Sequence, residues 1–234
     1  MISFVSALTR HVALLCLGAA LAGPALAVND FSAAERLLFM GNPLQSLKPP
    51  LTLRYAFHKS GTLEPGFDDV VTVDLKAKPD GGCCIALPQF FTGPRRLSQP
   101  EVEGTEGNPV LLYYLEREIR EMERLTTGKP NYFRKRIRMA IYQGAVVDTA
   151  SFTYRGKTIA GKTVRIVPYA DDPMRSRYDK LADKQYLFLL SDAVPGGLVG
   201  VRTAVAGATP GSAALFTEEM MLEGATAPTT APKP

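Results

Sequence analysis

The segment NPVLLYYLEREIREMERLTTGKPNYFRKRIRMAIYQG, Asn108–Gly144, divides the chain. It is where the hydrophobic period changes. Asn108 offers an N-cap and Pro109 stands at the first helical position. Leu111, Leu112, Leu115, Ile119 and Met122 then recur at helical spacing. Glu116 with Arg120, and Arg117 with Glu121, form i,i+4 pairs expected on the wet side. Gly128 and Pro130 end this helix, and Asn131 is expected to cap a second one. Phe133, Ile137, Ala140 and Ile141 make its apolar stripe, and Gly144 ends it. The spacing therefore predicts a helical hairpin over 108–143.

On both sides the period falls to two. Upstream, FSAAERLLFMGNPLQSL (31–47) opens with a short helix stopped at Gly41-Asn42-Pro43. In LTLRYAF (51–57), Leu51, Leu53, Tyr55 and Phe57 alternate with less apolar residues, the pattern of a half-buried strand. DVVTVDLKA repeats it with Val71, Val73 and Leu75 on one face, and KPDGG is a turn. CCIALPQFF (83–91) is a third strand, which Pro88 confines to an edge or a bulge. Downstream, VDTASFTY, a turn at Arg155-Gly156-Lys157, a short TIAG segment and KTVRIVPY form a meander. Asp172-Pro173 starts a short helix through about Leu181. QYLFLLSD, LVGVRTAVA and ALFTEEMMLEG are the last strands. Short sequential strands joined by tight turns make an antiparallel sheet, and the order is α+β. LFLL, VVTV and LVGV are apolar on both faces, more than a one-sided sheet requires. The expected fold is α+β: a largely antiparallel, curved, half-barrel-like sheet with the helical hairpin and short helices on one face. Such a curve either holds an apolar ligand or is filled by a packed core.

The ends set the expected compartment. MISFVSALTRH carries Arg10 and no acid. An apolar run, VALLCLGAALAG, follows, and Ala25-Leu26-Ala27 fits a signal-peptidase site. Cleavage after Ala27 makes 1–27 a signal peptide, too short in its apolar run to span a bilayer. Leu15 before Cys16 departs from a lipobox. The expected localisation is periplasmic. Residues 28–223 are expected as one domain, and 224–234, rich in Ala, Thr and Pro, as a disordered tail.

Composition narrows the chemistry. The net charge of +4 falls by one with Arg10 removed, which is too modest for a nucleic-acid binder, and no nucleic acid is expected in that compartment. His58 is then the sole histidine, so any triad must use it, and no G-x-S-x-G elbow accompanies it. It reads as a surface residue at a strand end. Cys83-Cys84 lacks further thiols or imidazoles for a metal set, and a strand directs the two thiols to opposite faces, one buried and one half-exposed. Asp171-Asp172 and Glu218-Glu219 are paired carboxylates, but the first reads as a helix cap. No catalytic residue, metal or cofactor is expected.

The export signal, the leading helix, the strand LTLRYAFHKSGTL (51–63) and the sheet-plus-helices order resemble the LolA/LolB fold superfamily of envelope lipoprotein carriers. That resemblance implies a half-barrel closed by helices over a hydrophobic cavity, and a carrier or lipid-binding role rather than an enzyme. It rests on pattern and carries over no functional residue. Tyr55, Phe57, Val73, Phe152, Phe188 and Leu190 are the strand positions expected to line a cavity. The partner is then an apolar ligand, a lipid or a lipoprotein acyl chain. The alternative is an interaction module of an envelope complex that docks through the hairpin. In that hairpin Arg134, Lys135, Arg136 and Arg138 stand with no acid between Glu123 and Asp148. They serve either an anionic membrane or envelope partner, or pair with the acidic first arm, Glu116, Glu118, Glu121 and Glu123.

Overall fold

A computed structural model describes residues 31–103, 107–209 and 211–226. The signal peptide expected over 1–27 lies outside the described residues. Among the described residues, three α-helices and eleven strands follow in the order α1 (Ala33–Phe39), β1 (Leu51–Gly61), β2 (Phe67–Ala77), β3 (Cys83–Phe90), β4 (Leu97–Ser98), β5 (Val102–Glu103), α2 (Pro109–Thr126), α3 (Pro130–Gln143), β6 (Val146–Tyr154), β7 (Lys157–Ile166), β8 (Gln185–Leu190), β9 (Leu198–Val205), β10 (Phe216–Leu222) and β11 (Ala225–Thr226). Two short 3-10 segments, Arg175–Arg177 and Asp179–Asp183, replace the helix expected from Asp172.

The strands form one open, curved, antiparallel sheet in the order β11-β6-β7-β8-β9-β10-β1-β2-β3-β4, with β5 also on β3. Two meanders, β1–β3 and β6–β10, are sewn together where β10 pairs with β1, Phe57 opposite Met220. The helical hairpin is inserted between them. Pro88 sits as its missing N–H demands: β4 covers Gln89 and Phe90, β5 covers Ile85 and Ala86, and Pro88 falls in the gap. The β6–β7 turn puts Arg155 and Gly156 at φ 48° and 76°, the two positive angles of a type I′ hairpin. TIAG and KTVRIVPY prove to be one strand, β7.

The helices follow the sequence closely. Ser32 caps α1 in a capping box with Glu35. The Asn108 side chain accepts from the N–H groups of Val110 and Leu111. α3, however, begins at Pro130, not behind an Asn131 cap. Proline's preset φ starts the turn, and Asn131 lies inside the helix, its Oδ1 accepting from Arg134.

α2 buries two adjoining faces and leaves Leu112, Arg120, Glu123 and Arg124 exposed. One face packs on the sheet through Val110, Tyr114 and Arg117, and another meets α3 through Leu115, Ile119 and Met122. The core beneath it contains Tyr55, Phe57, Phe90, Tyr169, Tyr186 and Phe188, all 2% exposed or less. Ala225 and Thr226, in the segment expected as a tail, pair with Tyr154 and Thr153; residues 227–234 lie outside the described set.

Candidate functional site

Two places concentrate chemistry: a groove on the outer side of the helices and a buried charge network beneath α2.

The groove is formed where α1, α2 and α3 meet. Its apolar wall comprises Phe31, Phe39, Met40, Leu112, Leu115, Ile119, Ile137 and Ile141, and its volume is about 390 Å³. Ser32 Oγ donates to the Ile141 carbonyl and ties α1 across the end of α3. Phe31, Met40 and Leu112 are 49%, 43% and 38% exposed, so the mouth is apolar as well as the floor. Four charged residues border it: Glu35, Glu116, Arg134 and Arg138. Three are committed. Glu35 accepts from the Ser32 N–H, and Glu116 accepts from Arg134 at 2.7 Å. Arg138 makes no ion pair or hydrogen bond among the described residues.

The charge network follows from strand register. Lys59 on β1 pairs with Glu218 on β10, Glu218 with Thr203 on β9, and Thr203 with Tyr186 on β8. That row crosses the inner face of the sheet, and α2 lies over it. Arg117 donates to both oxygens of Glu218, at 2.6 and 2.9 Å, and Tyr114 bonds Thr203 at 3.1 Å. Lys184 Nζ stands 2.6 Å from Glu118 Oε2, in charge contact without hydrogen-bond alignment; both side chains are fully buried. Lys59 also reaches Glu64 and Glu121, which share Arg124. Four cations (Lys59, Arg117, Arg124, Lys184) thus face four carboxylates (Glu64, Glu118, Glu121, Glu218).

Environment separates these carboxylates. Burial would raise Glu218, but the charges of Arg117, Lys184 and Lys59 outweigh it and hold the group well below the usual range. Burial likewise opposes ionisation of Glu121. The hydrogen bond from Arg124 and the charges of Arg117 and Lys59 nevertheless keep it at about 2. Glu118 goes the other way: complete burial, helped by the negative charge of Glu218, raises it despite Lys184.

The expected wet-side pair of Arg117 with Glu121 is therefore not formed. Arg117 turns inward because Glu218 is there, a partner more than a hundred residues away. Glu116–Arg120 does form, exposed, at 3.7 Å. The network was missed in the sequence although its signal was present: Lys59, Thr203 and Glu218 each interrupt an otherwise apolar inward row.

The residues expected to line a cavity separate. Tyr55, Phe57, Val73 and Phe188 lie on the inner face, packed into the core. Phe152 pairs with Ile159, out of phase with the Val147–Val164–Phe188 row, so it faces the other side of the sheet. There it covers Gly161, where an added Cβ would meet the Phe152 ring at 2.4 Å. Leu190 alone borders a surface pocket, beside Leu38, Leu111 and Asp192.

The basic quartet also divides. Arg134 pairs with Glu116 of the first arm. Arg136 turns to Asp172 (3.1 Å) and the Pro168 carbonyl. Lys135 and Arg138 are exposed and unpaired among the described residues. Asp172 is buried, accepting from Tyr132 and from the Met174 N–H, which makes it an anchor for α3. His58 lies exposed on the outer face, 2.6 Å from Asp68. Cys83 and Cys84 are joined in a disulfide, so they are not the two free thiols on opposite faces that strand alternation predicts; ring closure brings the sulfurs together. Among the described residues no group of His, Cys, Asp and Glu is arranged to hold a metal, and no helix is long and apolar enough to cross a membrane.

No protein-family model and no curated protein matches this chain. Among solved structures, Mycobacterium tuberculosis lipoprotein LppX is similar at 10% sequence identity. The match covers 80% of this chain and 91% of that one with a TM-score of 0.32, a likeness too loose to carry anything across.

Proposed function

We propose that this is an exported cell-envelope protein that binds or carries a single acyl chain, of a lipid or lipoprotein, in the groove between α1, α2 and α3. The observation that carries this reading is an apolar concavity with an apolar, exposed mouth and one uncommitted cation, Arg138, on its rim. Its volume falls at the lower end of small-molecule sites, about 300–1,000 Å³. That suits one hydrocarbon chain better than a multi-chain lipid. The inner face of the sheet, filled by aromatic side chains, is the less suitable seat. The runner-up, a ligand-free module that docks through the hairpin, leaves the concavity of the groove without a purpose.

The test is titration of the purified protein with a fluorescent fatty acid. Binding should be saturable and displaced by unlabelled fatty acid. Leu112→Glu should weaken it by about tenfold or more, because it places a charge against the chain. Leu63→Glu, at another exposed apolar position, should leave it unchanged. Failure of the wild type to take up the probe, with a clean unliganded mass after native purification, sinks this reading.

A further inference from the structure

We propose that the outward face of α3 docks on an anionic bilayer surface through Lys135, Arg138, Met139 and Tyr142. The helix buries Phe133, Ile137 and Ile141, and the positions that turn away from that stripe carry the charge. Arg134, Arg138 and Tyr142 follow one another at i,i+4 spacing, and Lys135 and Met139 stand beside them. The basic residues occupy the first turns and the exposed apolar ones the last: Met139 is 37% and Tyr142 49% exposed.

This is the composition of an interfacial helix face. Cations meet the headgroups, while an amphipathic ring and a flexible thioether enter the boundary below them. A phosphate backbone would use the cations but has no use for the two exposed apolar side chains, so a membrane is favoured over a nucleic acid. Among nearby acids, Asp171 borders one pocket with Met139 but shares it with Arg136 and Arg165. Glu116 is held by Arg134 and Arg120, Glu123 acts on Arg134 at the start of the helix, and Glu35 is taken up in the α1 cap. No acid of α2 or α1 pairs with Lys135 or Arg138 among the described residues. The arrangement also has a directional consequence. Arg138 belongs both to this face and to the groove's rim, so docking would set the groove's mouth beside the headgroups. The docking itself stands on the charge and exposure of α3 and does not require that the groove take an acyl chain.

Vesicle flotation tests it. The purified protein should float with phosphatidylcholine–phosphatidylglycerol vesicles and much less with phosphatidylcholine alone. Binding should fall at about 1 M salt, where the screening length is about 3 Å. The double variant Lys135→Glu/Arg138→Glu should lose about tenfold or more of the partition, and Tyr142→Ser should lose a smaller part. Lys157→Glu/Lys162→Glu changes the net charge equally on β7 and should keep binding. All four positions are exposed, and circular dichroism checks that the variants fold. Equal loss in both double variants, equal flotation on neutral vesicles, or retention on single-stranded DNA with no flotation would each overturn the proposal. Fatty-acid uptake measured without vesicles reads the groove separately, so failure of one leaves the other standing.

Discussion

Glu118 and Lys184 are two full charges in contact, each without access to water. Removing Glu118 leaves the buried Lys184 without its partner in a low-dielectric site, which costs about 3–5 kcal/mol when a buried pair is broken, whereas removing Lys184 leaves Glu118 still paired with Arg117. Lys184 also lies over the rings of Tyr186 and Phe216, at 5.2 and 4.9 Å, so it keeps some stabilisation when the carboxylate is gone. Glu118→Gln should lower stability by about 3 kcal/mol, and Lys184→Met by less, because Glu118 keeps Arg117. The double variant should recover most of that loss, a coupling read by a double-mutant cycle of urea unfolding. Additive losses would mean that the two charges do not interact. A sequence reader sees Glu118 as one more polar residue of an amphipathic helix. Lys184 reads as a loop residue before β8. Neither position shows that it will be sealed in.

At the scale of the element, α2 and α3 illustrate how local signals and long-range ones divide the work. Their extent was legible to within a residue or two because prolines and apolar spacing act locally, although the cap read at Asn131 lies inside α3. Asn108 does more than cap. Its side chain accepts from two α2 N–H groups and also donates to the Gly196 carbonyl, which ties the helix start to the β8–β9 turn. Asn108→Ala should therefore cost about 1–2 kcal/mol, toward the upper end for a cap, with the loss visible as a lowered urea midpoint. Asn108→Asp keeps the cap but not the donor and should fall between. The faces of α2 were not legible in the same way. Arg117 and Glu116 are neighbours of similar polarity, yet one is 5% exposed and the other meets solvent. What sorts them is the sheet beneath, and the sheet row was assembled from β1, β8, β9 and β10.

For the whole molecule, the network makes acid stability a property of the sheet–helix interface. Glu121, Glu64 and Glu218 have folded pKa values held below their ordinary ones. Groups of this kind contribute stability that is fully present above the unfolded carboxylate value, about 4.3. It is lost as pH falls through the folded value, about 2 for Glu121. Glu118, raised by burial, has the opposite sign: protonating it relieves a buried charge, which offsets part of the loss. The urea midpoint should therefore fall mainly between about pH 4.3 and 2, and Glu121→Gln should flatten that fall. A midpoint independent of pH over this window would contradict the network.

Local patterning is enough to set the class of fold. Period-two apolar patterns, turn residues and a capped helical hairpin are local, and burial needs no more than that to sort strand from helix. It also placed His58 on the surface and limited Pro88 to a gap in strand pairing. Which strands meet depends on long-range packing, because β10 reaches β1 across more than 150 residues and nothing near either strand records it. That one pairing brings Glu218 beside Lys59 and beneath Arg117. The assembled core fills the inner face of the sheet with aromatic side chains. The open apolar concavity lies between the helices, where no single segment's pattern announces it. Of the four acids expected to meet Lys135 and Arg138, Glu118 and Glu121 are drawn inward to charges that folding brings near, and Glu116 is taken by Arg134 and Arg120.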